Sequence, residues 1–258
     1  MSKLVNRWAT VGLVVLLSGV GGVSTKAQQQ ITSVPDSVRV PVLVYHSVAP
    51  HHLGQTAAQR QLDVDTAVFE QQMRYIVDHG YHVISLATLI DALEGTSTLP
   101  ERAVVITFDD GWASQYRYAF PILRQLGLTA TFFIYSKPIG HDPLWMNWGQ
   151  IRELQDAGMT IGSHSRTHPL LTDLRVSLQD EIDDSRADIK RMTGKLPAFF
   201  AYPYGAWDPR SMAQVEAAGY RAGRALPGGP WNSPTNRFAL QSVLITDDME
   251  VFERELGP

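Results

Sequence analysis

The sequence predicts an α/β protein: a single distorted (β/α)7-8 barrel with its active site at the C-terminal ends of the strands. Three observations predict it. Strand-like apolar runs alternate with helical patterns from Val40 almost to the end of the chain. The runs are apolar along their whole length rather than at every second residue, as burial of both faces of a parallel sheet requires. No linker rich in Pro, Gly or Ser divides the chain, and no repeat stands out. An open doubly wound sheet is the alternative. The lack of a G-x-G-x-x-G after the first strand counts against dinucleotide binding.

The elements follow in order. Val40 to Tyr45 is a continuous β-branched run, read as a buried strand, and His46 to Asp63 is a long polar loop. Phe69, Met73, Ile76 and Val77 recur at helical spacing before Gly80, a residue suited to a left-handed stop. His82 to Ile84 is a short strand, and Leu86, Leu89, Ile90 and Leu93 mark a second helix. Ala103 to Phe108 is the clearest strand in the chain, followed by a helix from about Ala113 to Leu126. Thr129 to Tyr135 and Met159 to Gly162 are strands, separated by a helix that Asn147 can cap. Leu178, Ile182, Ile189 and Met192 line a long helix, and Ala198 to Tyr202 is a strand. Asp208-Pro209 opens a helix ending at Gly219, and Tyr220 to Ala225 and Phe238 to Ile245 are the last strand-like runs.

The first residues read as an address. Lys3 and Arg7 precede the apolar run Trp8 to Val20, and Thr25-Lys26-Ala27 offers a cleavage site, the layout of a secretory signal over 1–27. The run is shorter than the roughly 20 residues that cross a bilayer, so no stable membrane span is expected after cleavage. Residues 28–39 read as an N-terminal tail and 40–258 as one catalytic domain. The expected location is outside the cytoplasm: secreted, periplasmic or at the cell surface. Zero Cys excludes disulfide scaffolds, thiolate-ligated metals and thiol nucleophiles. A net charge of −4 argues against a nucleic-acid partner.

Four polar clusters fall at predicted strand ends: His46, Asp109-Asp110-Gly111, His164 with His168, and Tyr202-Pro203-Tyr204-Gly205. Alone, Asp-Asp-Gly is an ordinary turn and a His pair four apart an accident. Together they lie on the face where barrel chemistry sits. His164 and His168 with one carboxylate make a two-His, one-carboxylate site suited to a catalytic divalent metal. Successive strand residues point opposite ways, so Asp109 and Asp110 have different tasks: one ligates, the other accepts a proton from water. His51, His52, His79, His82 and His141 read as surface residues, and the acidic run Asp180 to Asp188 as a solvated helix face. Trp112, Trp145, Trp148, Trp207 and Trp231 are mostly loop-associated, for packing or for stacking on sugars.

These residues carry a resemblance. Thr107-Phe108-Asp109-Asp110-Gly111, His164-Ser165-Arg166-Thr167-His168-Pro169 and Tyr202-Pro203-Tyr204-Gly205 resemble three motifs of the polysaccharide deacetylases with the NodB-type domain, carbohydrate esterase family 4. The resemblance runs from about Val40 to Ile245. It implies that Asp109 is the general base and that Asp110, His164 and His168 bind a divalent metal, usually zinc, with cobalt or nickel as substitutes. It also implies that the Tyr204 backbone N–H holds the oxyanion, and that an N-acetylated polysaccharide is the partner, yielding acetate and a free amine. Two departures matter. The third motif's usual leading Arg is Ala201 here, leaving the base without an identified partner. The late Leu-x-His motif that supplies the general acid is missing. Val44-Tyr45-His46-Ser47-Val48 instead resembles the subgroup acting on poly-β-1,6-N-acetylglucosamine of biofilm matrix, where an early His serves that role, so His46 is the expected acid. An acetylxylan or other O-acetyl esterase and an impaired sugar-binding protein are the competing readings. A glycosidase would need two carboxylates facing each other across a cleft, which adjacent aspartates do not give.

Overall fold

The computed structural model describes residues 34–52, 56 and 62–257. The predicted signal over 1–27 and the first half of the predicted tail, 28–33, lie outside the described residues. The described strands are β1 (Val38–Arg39), β2 (Val42–Tyr45), β3 (Ser47–Val48), β4 (Asp63–Val64), β5 (His82–Val83), β6 (Ala103–Phe108), β7 (Thr131–Ile134), β8 (Thr160–Ser163), β9 (Phe199–Ala201), β10 (Ala222–Arg224), β11 (Trp231–Asn232) and β12 (Val243–Leu244). The helices are α1 (Thr66–Asp78), α2 (Leu86–Leu93), α3 (Phe120–Gln125), α4 (Trp148–Asp156), α5 (Asp184–Thr193), α6 (Pro209–Ala217) and α7 (Met249–Leu256).

The main sheet is parallel, in the order β10-β9-β8-β7-β6-β2-β12, with β5 also on β6. It curls, and its ends meet at a single bridge between Arg224 and Leu240. The expected alternation therefore holds, and the ring closes by a tie rather than a full ladder. The last run, expected as one strand from Phe238 to Ile245, divides: Pro234 opens a 3-10 turn through Ala239, and only Val243–Leu244 pairs with β2. Val38 and Arg39, expected as the end of the tail, pair with β11. Two predicted helices begin as π turns, Gln115–Ala119 before α3 and Gln179–Asp183 before α5.

Period-2 alternation divides the core. Leu43, Tyr45, Ile106, Phe108, Phe132 and Ile134 pack with α1 and other helices on one face of the sheet. Val42, Val105, Phe133, Ala201 and Ala222 form the other face, against Leu86, Leu89, Ile90 and Leu93 of α2. Asp109 shares the parity of Val105, and Arg224 that of Ala222, so both belong to this second face. Register then aligns the strand ends. Tyr45 pairs with Phe108, Ser163 with Phe200, and Ala201 with Arg224. His46 and Asp109 follow one such pair, while His164 and Arg224 stand at the others.

Candidate active site

His46, Asp109, Asp110, His164, His168, Tyr204 and Gly205 line one cavity of about 260 Å³ with Leu62 and Leu226. All six site residues expected from the sequence are thus brought together. Their backbones are unusual. Asp110, Ser165, His168 and Tyr204 have φ between 60° and 74° and are four of the five non-glycine residues with positive φ among those described. Such conformations cost on the order of 1–3 kcal/mol each and persist where surrounding contacts fix them. Gly111, with φ 81°, completes the Asp-Asp-Gly turn; a Cβ there would press on Ile134 and Ile139.

The potential metal donors converge. One ligand atom from each of Asp110, His164 and His168 lies within 4.8 Å of the others. His168 Nε2 is 3.4 Å and His164 Nε2 3.7 Å from Asp110 Oδ1, and the two Nε2 atoms are 3.2 Å apart. Two of the donors, His164 and Asp110, are aimed by a partner. His164 Nδ1–H donates to the Ala201 carbonyl at 2.8 Å, so its Nε2 carries the lone pair. Trp112 Nε1–H donates to Asp110 Oδ2 at 2.9 Å and leaves Oδ1 for the histidines. Trp112 itself stacks on Trp145, centroids 4.7 Å apart, so this pair is structural. Burial lowers His164 to about 3 and also depresses His168, keeping both imidazoles neutral. Burial, reinforced by Asp109, raises Asp110 to about 6.

Asp109 is prepared differently. Its burial opposes ionisation, but its charged surroundings, the Arg224 guanidinium foremost, outweigh that and hold its carboxyl below the usual carboxylate value. Arg224 Nη2 donates to Oδ2 at 2.5 Å, and the guanidinium is itself buried, over the Phe133 ring at 5.3 Å. Asp109 Oδ1 is buried with no hydrogen-bond partner among the described residues. Asp109 therefore has an arginine partner after all, from β10 rather than from the third motif. Its one sequence signal is a charged residue in an apolar strand-like run. His46 Nε2 stands 3.9 Å from Asp109 Oδ2, and Gln115 Nε2 donates to both the His46 and the Asp109 carbonyls, at 2.8 and 2.5 Å, fixing the two strand ends.

The His164–His168 loop rests on Glu181. Glu181 Oε2 accepts from the backbone N–H groups of Arg166 (3.0 Å) and Thr167 (2.8 Å), and Oε1 from the Thr167 hydroxyl (2.7 Å). Asp184 and Asp188 hold the Arg166 guanidinium at 3.1 and 3.3 Å. The acidic run is therefore no purely solvated face: Glu181 is buried. It lies three residues after Leu178, on the apolar side of the helix, so helical spacing alone could have found it. His51 lies outside the cavity, 3.4 Å from Asp247, and His52, His79, His82 and His141 are exposed.

A buried carboxylate with one oxygen held and the other unpartnered, beside a three-donor cluster at the ends of parallel strands, is the equipment of a hydrolase. The comparisons agree. The polysaccharide deacetylase family model matches residues 96–223. The chain carries a polysaccharide deacetylase domain. It is 28% identical over 212 residues to YxkH of Bacillus subtilis (strain 168), named for polysaccharide deacetylation, covering 82% of this chain and 73% of that one. It is 22% identical over 203 residues to the poly-beta-1,6-N-acetyl-D-glucosamine N-deacetylase of Staphylococcus aureus (strain MRSA252), covering 73% and 70%. The solved Streptococcus pyogenes deacetylase PplD, in complex with acetate, superposes with a TM-score of 0.79 at 24% identity over 86% of this chain and 99% of that one, which shows the shared fold. The protein is a polysaccharide deacetylase, and the curled parallel sheet is that of its relatives.

Proposed function

We propose that this deacetylase removes N-acetyl groups from poly-β-1,6-N-acetylglucosamine outside the cytoplasm, using a zinc ion held by Asp110, His164 and His168. The observation that carries the reading is the convergence of these three donors beside Asp109 in one cavity. The donor set fits the ion: two imidazole nitrogens and a carboxylate oxygen suit zinc, with cobalt or nickel as substitutes, and the facing Nε2 atoms are what a shared cation would satisfy. When bound, the metal supplies Lewis-acid polarisation of the acetyl carbonyl and eases ionisation of water.

The chain's own residues do the rest. Asp109 accepts the proton of the attacking water at Oδ1 while Arg224 keeps Oδ2 occupied. The water oxygen bonds to the acetyl carbon, and the Tyr204 backbone N–H donates to the developing oxyanion. His46 gives a proton to the sugar nitrogen as the carbon–nitrogen bond breaks, releasing acetate and an amine. The name of the staphylococcal relative and the early histidine support the polymer. The basic and apolar residues of 1–27 support export, and the catalytic domain is read as starting at β1. The test is acetate release from β-1,6- and β-1,4-linked N-acetylglucosamine oligomers. Chelator should abolish release, zinc or cobalt should restore it, and the β-1,6 series should be preferred. Chelator-resistant release would remove the metal from the scheme, and a β-1,4 preference would move the polymer.

A further inference from the structure

The reaction cavity, about 260 Å³, is smaller than the roughly 300–1,000 Å³ of ordinary ligand pockets. It can enclose the reacting end of one sugar, so the rest of a polymer lies across the rim. Immediately beside it is a larger cavity, about 430 Å³, whose wall includes Trp207, Met212, Pro227, Thr235, Asn236 and Gln241. Two segments build both cavities. Tyr204, Gly205 and Leu226 line the first; Trp207, Ala225 and Pro227 line the second. Leu226 N–H donates to the Gly205 carbonyl at 3.4 Å, pinning the segments together, and a Cβ at Gly205 (φ 68°) would collide with the Leu226 backbone.

The chemistry of the second cavity is selective. No charged side chain lines it, whereas the cavity beside Arg166 is lined by Lys137, Asp188 and Arg191 as well. Its polar groups are two amides and a hydroxyl. Gln241 Oε1 is held by the Gly229 N–H at 3.1 Å, which leaves Nε2 as a donor. Trp207 is 41% exposed and Tyr204 65%, two large aromatics in solvent on one short turn. A neutral wall with an exposed indole and amide groups matches a pyranose ring, apolar on its C–H face and rich in hydroxyls at its edge.

We infer that this groove is a second sugar subsite, with Trp207 as its stacking platform, holding a neighbouring residue of the glycan whose acetyl group is being removed. The inference rests on a β-linked N-acetylglucosamine polymer as substrate. The test compares wild type, Trp207→Ala and Trp207→Phe on a β-1,6-linked N-acetylglucosamine pentamer and on 4-nitrophenyl acetate, which carries no sugar. Trp207→Ala should lower kcat/KM for the pentamer about tenfold through KM, leave 4-nitrophenyl acetate unchanged, and be largely rescued by Trp207→Phe. Equal kcat/KM for the pentamer in wild type and Trp207→Ala would overturn the subsite. If wild type releases no acetate from the pentamer, the proposed substrate fails, and tryptophan fluorescence judges the groove separately. A saturable change with the pentamer, lost in Trp207→Ala, supports the subsite; no change in wild type overturns it.

Discussion

At the scale of single residues, the site turns on how one buried carboxylate stays ionised. Asp109 is 3% exposed, and burial alone would keep it protonated and useless as a base. The Arg224 guanidinium is the leading counterweight. Asp109→Asn should therefore reduce acetate release by at least about 10² while leaving zinc content unchanged; near-normal turnover would end the assignment. Arg224→Met should leave Asp109 buried and uncompensated, at a cost of about 3–5 kcal/mol in unfolding free energy. It should also move the acidic limb of the pH–rate profile upward. Without the guanidinium the carboxyl binds its proton more readily, so activity is lost at a higher pH as the pH falls. An unmoved limb would show that Arg224 does not tune the base. Asp109 and Asp110 were legible because strand alternation separates adjacent side chains. Arg224 was not legible as the partner of Asp109, since it lies 115 residues away in sequence. Curling of the sheet brings the end of β10 back to the end of β6, four strands away, and no local pattern encodes contact between such distant strands.

At the scale of elements, the helix after the second motif acts as a mould for the loop from His164 to His168. Glu181 satisfies two backbone N–H groups of a loop whose Ser165 and His168 both have positive φ, and Ser165 Oγ accepts from the His168 N–H at 2.9 Å. Glu181→Ala should free those donors and loosen His168. We expect zinc affinity, measured by competition with a chromophoric chelator, to fall about 10–100-fold with secondary structure retained. Affinity within twofold of wild type would show that the loop holds its shape unaided. The elements themselves were largely legible. Stops such as Gly194 (φ 80°) and caps such as Asn147 and Asp208 fall where the residue types demand. The last predicted strand was less so. Its apolar residues satisfy a strand pattern, but Pro234 and the capping pair Ser233–Asn236 turn the chain first.

For the whole molecule, parallel register is what converts separate signals into a site. His46, Asp109, His164 and Arg224 stand at or just beyond strand ends, and curling of the sheet turns those ends toward one cavity. Zinc binding to the native protein should stabilise it by mass action. Asp110, raised to about 6, must lose its proton to ligate, so the rise in Tm given by a fixed zinc concentration should shrink as pH falls below 6. A rise that is constant from pH 7.5 to 5 would remove Asp110 from the ligand set. The helical and strand periodicities foretold the barrel, but not how it closes. The tie at Arg224 and Leu240 is a single bridge with no repeating pattern to announce it.

That same arginine bears on how such chains are sorted. A census that asks only whether the third signature opens with a guanidinium would file this protein among silent copies. The charge has instead moved one strand along, from where Ala201 stands to Arg224, without leaving the carboxylate it serves. Relatives missing an expected letter are better judged by looking across the sheet, at the neighbouring strand's last inward position, before their chemistry is written off.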